Sequence, residues 1–441
     1  MSLSGIFVNT LPIVANVVMG FLLLIYLARY FLYSEALNPA QGPLFAFLIG
    51  ESGRAAQQQP DPDALSPARL IGLVAVTFLL SRALIYLLAL VMSQANGSTY
   101  YFLHDPESVW VRWDARHYIG LAENWYVNEG DPRFHIVFYP LYPLLVRVLR
   151  PLFFGHTALA ACALSNACLL VSGWALGRLT CLSQGTRAAR RALCYLMFCP
   201  LSLFLSLPFS ESLFLMLTLL SVLCARNRRM GLALCLGALC SATRMLGLVC
   251  AVPIYLEWLC IARKRSGGDR KKYISRAAAY ALLTFTVALG FLSYLLLNKA
   301  VTGDAFKFLQ YQSEHWSQRF GSLANSLSYT LQNALTYDDL GTRLGTWIPQ
   351  SVLMISVLAL MAVTARRLHP GDGAYALIYF YVALSPTWLL SGSRYLMAMY
   401  PVYPMLALIT RKRYQHALVM VILLLSNVYF TYMYAIYGSL F

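Results

Sequence analysis

Charge is what this sequence has least of. Asp, Glu, Lys and Arg make up 12% of its 441 residues, against about 25% in an ordinary soluble protein. With 59% hydrophobic residues and a mean hydropathy of +0.60, that scarcity excludes a solvated globular core and leaves an all-α polytopic membrane protein. Cysteine is also uninformative as a framework. The ten cysteines at 162, 168, 181, 194, 199, 224, 235, 240, 250 and 260 include no C-x-x-C pair and avoid the large loops. They argue for small apolar packing residues, not for disulfides or zinc. H-E-x-x-H, a nucleotide-cradling glycine loop and a G-x-S-x-G elbow are missing too, so zinc proteolysis, ATP hydrolysis and serine hydrolysis lack their usual residues. No metal site and no cofactor are expected.

What is there is a series of apolar runs: Ile6–Ala28, Leu70–Met92, His156–Gly177, Ala192–Leu207, Ser212–Ala225, Met230–Ala242, Leu246–Ala262, Ala277–Asn298, Trp347–Ala365, Ala374–Leu390, Leu396–Thr410 and Tyr414–Tyr437. They predict a helical bundle with about twelve membrane segments, some of them shorter than the roughly 20 residues a lone span needs. The short pairs around Pro208 and Arg244 therefore suit tilted or partly re-entrant helices lining a cavity. The net charge of +16 raises nucleic acid as a partner, but its distribution excludes one. With loops assigned alternately to two sides, 22 of the 34 Lys and Arg and 7 of the 18 Asp and Glu fall on one side, against 10 and 11 on the other; Arg82 and Arg244 lie within apolar segments. That bias is the positive-inside pattern, and it leaves no concentrated basic patch for a phosphate backbone.

Alternation places both termini, the loop 93–155, the Pro208–Glu211 turn, the Arg244 turn, the loop 299–346 and the Ser391–Tyr395 turn on the exoplasmic side. Residues 1–68 are expected to form an accessory first span, too long for a signal peptide, with a mobile cytoplasmic linker from Glu35 to Pro67; residues 69–441 are expected to form the main membrane domain. An Asn96-Gly97-Ser98 sequon falls on the exoplasmic side.

The residues that stand out all lie there. Trp113 to Trp125 suits an amphipathic helix at the interface, with Asp114, His117 and Tyr118 at i, i+3 and i+4 on one face. An Asp at that position is also a natural helix N-cap. Phe138-Tyr139-Pro140-Leu141-Tyr142-Pro143 and the following Arg147 and Arg150 suit a segment lying on the membrane, anchored by rings and snorkelling arginines. Glu211 begins an apolar run, where it favours the helix dipole or contacts substrate. Arg244 and Arg394 are arginines at the membrane edge, which are costly unless paired. A lipid phosphate matches a guanidinium bidentately; snorkelling is the plainer alternative. Arg82 is expected to pair with an acid or to line the cavity. The segment from Gly303 to Trp316, with His315 and several rings, suits a lid.

Taken together, Trp113-Asp114-Ala115-x-His117-Tyr118, the aromatic-Pro repeat at Phe138–Pro143, Ser210-Glu211-Ser212-Leu213-Phe214 and Arg244-x-x-Gly247 resemble the second mannosyltransferase family of glycosylphosphatidylinositol (GPI)-anchor biosynthesis, PIG-V, and its prokaryotic relatives in the GT-C superfamily. The resemblance runs from about Val109 to Tyr400. It implies a GT-C-type bundle and a mannosyltransferase that moves a sugar, with inversion, from a polyprenyl-phosphate donor to a lipid-linked or glycan acceptor. In that scheme Asp114 is the catalytic base and His117 assists. Tyr118, Tyr139, Glu211, Arg244 and Arg394 bind substrate, the two arginines neutralising the leaving phosphate. The setting is a plasma membrane in a prokaryote or the endoplasmic reticulum in a eukaryote, with membrane lipids as the other partners. A transporter or flippase for a lipid-linked or anionic substrate is the rival reading, since intramembrane arginines and broken helices also line transport paths; the sequence shows no internal repeat to favour it.

Overall fold

A computed structural model describes residues 3–35, 66–97, 104 and 106–437. The linker expected between Glu35 and Pro67 and the Ser98 of the sequon lie outside the described residues. Within them the chain is helical; the one β-type pairing is an isolated bridge between Phe320 and Pro386. Each of the twelve apolar runs contains a helix. Seven helical spans are long and apolar enough to cross a bilayer: Val8–Arg29, Pro67–Ala95, Thr157–Gln184, Met245–Ser266, Arg270–Thr302, Leu340–Thr364 and Arg413–Ala435. The other five runs hold Thr186–Met197, Glu211–Arg226, Met230–Ser241, Pro370–Leu384 and Val402–Ile409, which are 12, 16, 12, 15 and 8 residues long. Of the twelve expected segments, some of them short, seven thus fall in helices of spanning length among the described residues and five in shorter ones.

Position in the bundle explains the division. Long helices turn Leu79, Leu282, Leu296 and Leu425 outward, as a bilayer solvent requires. The Glu211–Arg226 helix is instead buried along nearly its whole length. Broken backbone at membrane depth is tolerated only where protein satisfies the freed peptide groups, and the break between Met197 and Glu211 shows how. Arg82 donates to the Ser202 carbonyl at 2.8 Å and to the Met197 carbonyl at 3.2 Å. Asn427 donates to the Cys199 carbonyl at 2.9 Å and Asn166 to the Ser206 carbonyl at 3.2 Å. Arg82 thus serves the broken backbone, and neither an acid nor the cavity takes its guanidinium as the sequence had suggested.

The first helix is docked on the bundle. Ser328 donates to the Val8 carbonyl at 3.3 Å, Arg29 donates to the Leu368 carbonyl at 2.8 Å, and Tyr26 lies so close to Gly373 that a Cβ there would meet its ring at 2.1 Å. All ten cysteines are free thiols. Between the second and third spans, the helices Asp114–Asn124 and Leu141–Leu149 form the amphipathic layer that the sequence predicts. The segment Asp131–Val137 meets Leu141–Phe153 at a bend of 111°. Beyond the bend Val148, Leu152 and Phe154 are exposed, as befits side chains dipping into a leaflet.

Candidate active site

A cavity of about 1060 Å³ lies between the amphipathic layer, the Arg244 turn, the helix Lys307–Trp316 with the loop after it, and the Ser391–Tyr395 turn. These are the loops and turns that charge alternation assigned to one side. Asp114, His117, Tyr118, Tyr139, Arg244 and Arg394 all reach its wall. Met245, Leu246, Leu309, Phe320 and Leu390 give it apolar flanks, and Phe138, Trp316 and Trp388 supply ring faces.

At its head four charges form a chain. Arg394 Nη2 lies 2.5 Å from Asp114 Oδ2, Arg394 Nε lies 3.0 Å from Glu211 Oε1, and Arg244 Nη1 lies 2.8 Å from the same Glu211 oxygen. Two carboxylates balance two guanidiniums, which is how such charges are borne away from water. Glu211 is only 1% exposed and is not on the cavity wall, whereas a quarter of the Asp114 side chain is accessible. Glu211 therefore stands behind the arginines and joins them, and Asp114 is the carboxylate that meets the cavity. Burial alone would raise the Asp114 pKa, but Arg394, through charge and hydrogen bond, with His117 and Arg244 beyond it, holds it below the usual value.

Local structure aims these groups. Asp114 is the first residue of its helix, and no side-chain cap bond is made there; its carboxylate is used on Arg394, so capping is not its role. The preceding Trp113 has φ 50°, an uncommon conformation for a bulky residue, and is held by an edge contact with Tyr434 at 5.0 Å and a stack on Phe204 at 6.4 Å. Tyr118 bonds the Ser210 hydroxyl at 2.8 Å, and Arg244 donates to that hydroxyl at 3.3 Å. The Arg244-x-x-Gly247 spacing has a steric reason: a Cβ at Gly247 would lie 2.3 Å from the backbone carbon of Cys240. Only glycine lets the chain turn back so closely. Arg244 then lies over Tyr395 at 5.1 Å, and Arg394 over Phe209 at 5.1 Å, within cation–π range.

Tyr139 stacks on Tyr294 at 4.0 Å. Its buried hydroxyl has no hydrogen-bond partner among the described residues, a costly state that a ligand in the adjoining cavity would relieve. Sequence reasoning missed three supports. Ser210 ties Tyr118 to Arg244. Buried Gln350 clamps the Arg394 turn by donating to the Leu389 carbonyl at 2.6 Å and accepting from the Gly392 N–H at 2.8 Å. His135 sits 2.9 Å from His117. In the segment expected as a lid, His315 and Trp316 line the cavity, and in the loop beyond them the Thr387 hydroxyl accepts from the Arg319 N–H at 2.9 Å. Among the described residues no three His, Cys, Asp or Glu side chains converge to hold a metal ion.

Bundle and site together define an integral membrane protein with a charge-balanced carboxylate–guanidinium chain at the head of an apolar-flanked cavity. Residues 101–311 match the family Mannosyltransferase (PIG-V), which supports a membrane mannosyltransferase and is consistent with a PIG-V-like member of the GT-C glycosyltransferases. The match contains every site residue named from the sequence except Arg394. No curated protein matches the chain.

Proposed function

We propose that this protein transfers mannose, with inversion, from a polyprenyl-phosphate donor to a lipid-linked or glycan acceptor at the exoplasmic face of its membrane. The observation that carries the reading is the Asp114–Arg394–Glu211–Arg244 chain at the head of a large cavity with apolar flanks. A sugar-bearing lipid phosphate needs three things: guanidinium for the phosphate, rings and hydroxyls for the sugar, and apolar wall for the first isoprene units. Arg244 and Arg394, then Trp316, Tyr118 and Tyr139, then Met245, Leu246 and Phe320 supply them.

In the transfer, Asp114 takes the proton of the acceptor hydroxyl as its oxygen attacks the anomeric carbon. The bond from that carbon to the phosphate oxygen breaks on the opposite face. The arginines stabilise the charge that develops on the leaving phosphate. Arg394 at 2.5 Å makes Asp114 a weak base in the free enzyme. An arriving phosphate competes for Arg394 and loosens that grip, so donor binding restores the basicity the reaction requires. The transporter alternative is disfavoured by the arrangement, because the charged groups on the cavity gather where loops and turns meet at one end of the bundle, whereas a transport site belongs near the midplane.

The test is transfer by purified protein in lipid nanodiscs supplied with a panel of polyprenyl-phosphate sugars. Mannose transfer that disappears in Asp114→Asn is the expected result. Absence of transfer from every donor, or full activity in that variant, overturns the reading.

A further inference from the structure

In and behind the cavity wall lies a pair of imidazoles to which the transfer step above gives no part. His117 Nδ1 and His135 Nε2 are 2.9 Å apart, with the rings edge to face at 4.7 Å. His117 lines the cavity and His135 does not; His135 lies on the far side of His117, on the half-buried segment Asp131–Val137. Phe138 at 5.1 Å and Trp316 at 6.2 Å fence the His117 ring. Two ring nitrogens at that separation share one proton, since a bond needs a donor and two bare lone pairs repel. If His117 carries it, the His117 Nδ1–H donates to His135 and the His117 Nε2 lone pair is left for another proton. His117 follows Asp114 by one helical turn, on the same face.

We propose that His117 and His135 form a proton exit for Asp114, with His135 a positioning and relay residue for the transfer reaction. This rests on Asp114 being the base. The proton taken from the acceptor hydroxyl passes from the Asp114 carboxylate, across a water in the cavity that both residues line, to His117 Nε2. His117 gives up its Nδ1 proton to His135 Nε2, and His135 releases its own Nδ1 proton to water at the loop surface. One proton enters and one leaves, and both rings return to their starting forms after a tautomeric flip. The relay resets Asp114 without sending the proton through the site that holds the lipid phosphate.

The groups around the pair fit this use. Asp114 and Arg116 share the helix of His117, Arg133 lies two residues before His135, and His315 faces them from the Lys307–Trp316 helix, stacked on Phe134 at 4.5 Å. Burial lowers the His117 pKa; Asp114 opposes that, while His315 and Arg116 reinforce it, and the net direction is down. Burial, with His117 and His315, pushes His135 down to about 4, so the pair passes a proton on and does not keep it.

The experiment uses the full chain in nanodiscs with two variants and two readouts. His135→Gln keeps an amide that accepts the His117 N–H but binds no proton, and His135→Ala removes the partner altogether. We expect kcat in His135→Gln to fall by on the order of 10²-fold, the low end for a positioned proton-transfer group. The KM for the donor should stay within about twofold, because no donor contact is removed. Added imidazole should restore His135→Ala in part and leave His135→Gln unchanged. Turnover by His135→Gln at the wild-type rate across the pH range overturns the relay and leaves the hydrogen bond as scaffolding. Nitrogen NMR of histidine-labelled protein gives a readout independent of activity: coupled titration of the two rings, lost in both variants, is expected, and independent titration in the wild type overturns the pair. If the wild type transfers no sugar at all, the functional reading falls on that result, and the NMR result still decides the pair.

Discussion

Among the described residues one helix carries a charge cluster at each of its ends, and their difference separates a site from a strut. Glu211 is the first residue of the helix Glu211–Arg226 and Arg226 is the last, so the clusters lie about 22 Å apart at 1.5 Å per residue. Each terminal charge also suits the helix dipole. At the far end Arg226 contacts Glu257 at 3.0 Å, Asp372 at 2.7 Å and His369 at 2.7 Å, while Tyr400 donates to Asp372 at 2.6 Å and Arg228 lies 3.8 Å from Glu257. Two arginines again face two carboxylates. None of these residues reaches the large cavity; Arg228 turns partly to the surface, and the ion pairs pin the helices around them. At the Glu211 end the same charge balance opens onto a cavity through Asp114, Arg244 and Arg394. A charge pair says little about function until its surroundings are known: away from a cavity it braces, on a cavity wall it offers its partners to a ligand.

The largest expected effect sharpens this contrast. Asp114→Asn should lower transfer by about 10³-fold, within the range for a positioned acid–base group, and should lower the melting temperature in nanodiscs far less than it lowers activity, because Arg394 keeps Glu211 as its partner. Arg226→Ala should do the opposite: it strands Asp372 and Glu257 and costs about 3–5 kcal/mol of stability, with donor KM unaltered in the surviving folded fraction. Equal loss of activity and stability in both variants would erase the distinction. Next comes pH. Because Arg394 holds the Asp114 pKa down, the ion pair's contribution to stability is complete above the ordinary carboxylate pKa and is lost only as pH falls through the lowered folded value. Arg394→Gln leaves burial less opposed, so acid unfolding followed by circular dichroism should begin at higher pH than in the wild type. Gly247→Ala should displace the Arg244 turn and raise the donor KM by about tenfold, a loss of one charge-assisted contact, visible in donor titrations. The smallest effect belongs to Tyr139→Phe, which removes the unpartnered hydroxyl: about 1 kcal/mol, or about fivefold in donor or acceptor KM. No change there would take Tyr139 out of the binding surface.

Legibility followed rarity. In an apolar chain a charge is expensive and conspicuous, so Asp114, Glu211, Arg244 and Arg394 could be singled out one by one. The amphipathic helices could be placed from their periodicity. Gln350, Ser210 and His135 were not legible, because neutral polar residues at helix ends are common and their importance lies in what they touch. Arg82 misled for the same reason in reverse: its charge was conspicuous, but its partners are backbone carbonyls and the hydroxyls of Ser81 and Ser206, which nothing local in a sequence pairs with it.

By itself the sequence determined that the chain is an integral membrane protein of helices, because hydropathy and helical period are properties of short stretches. Tertiary structure decided which helices reach spanning length, which charges meet and where the cavity opens. Asp114 and Arg394 are separated by 280 residues, and an ion pair over that distance exists only because packing brings the two chain ends of different helices within 2.5 Å. Coulomb attraction acts over ångströms of space, and no local pattern encodes those.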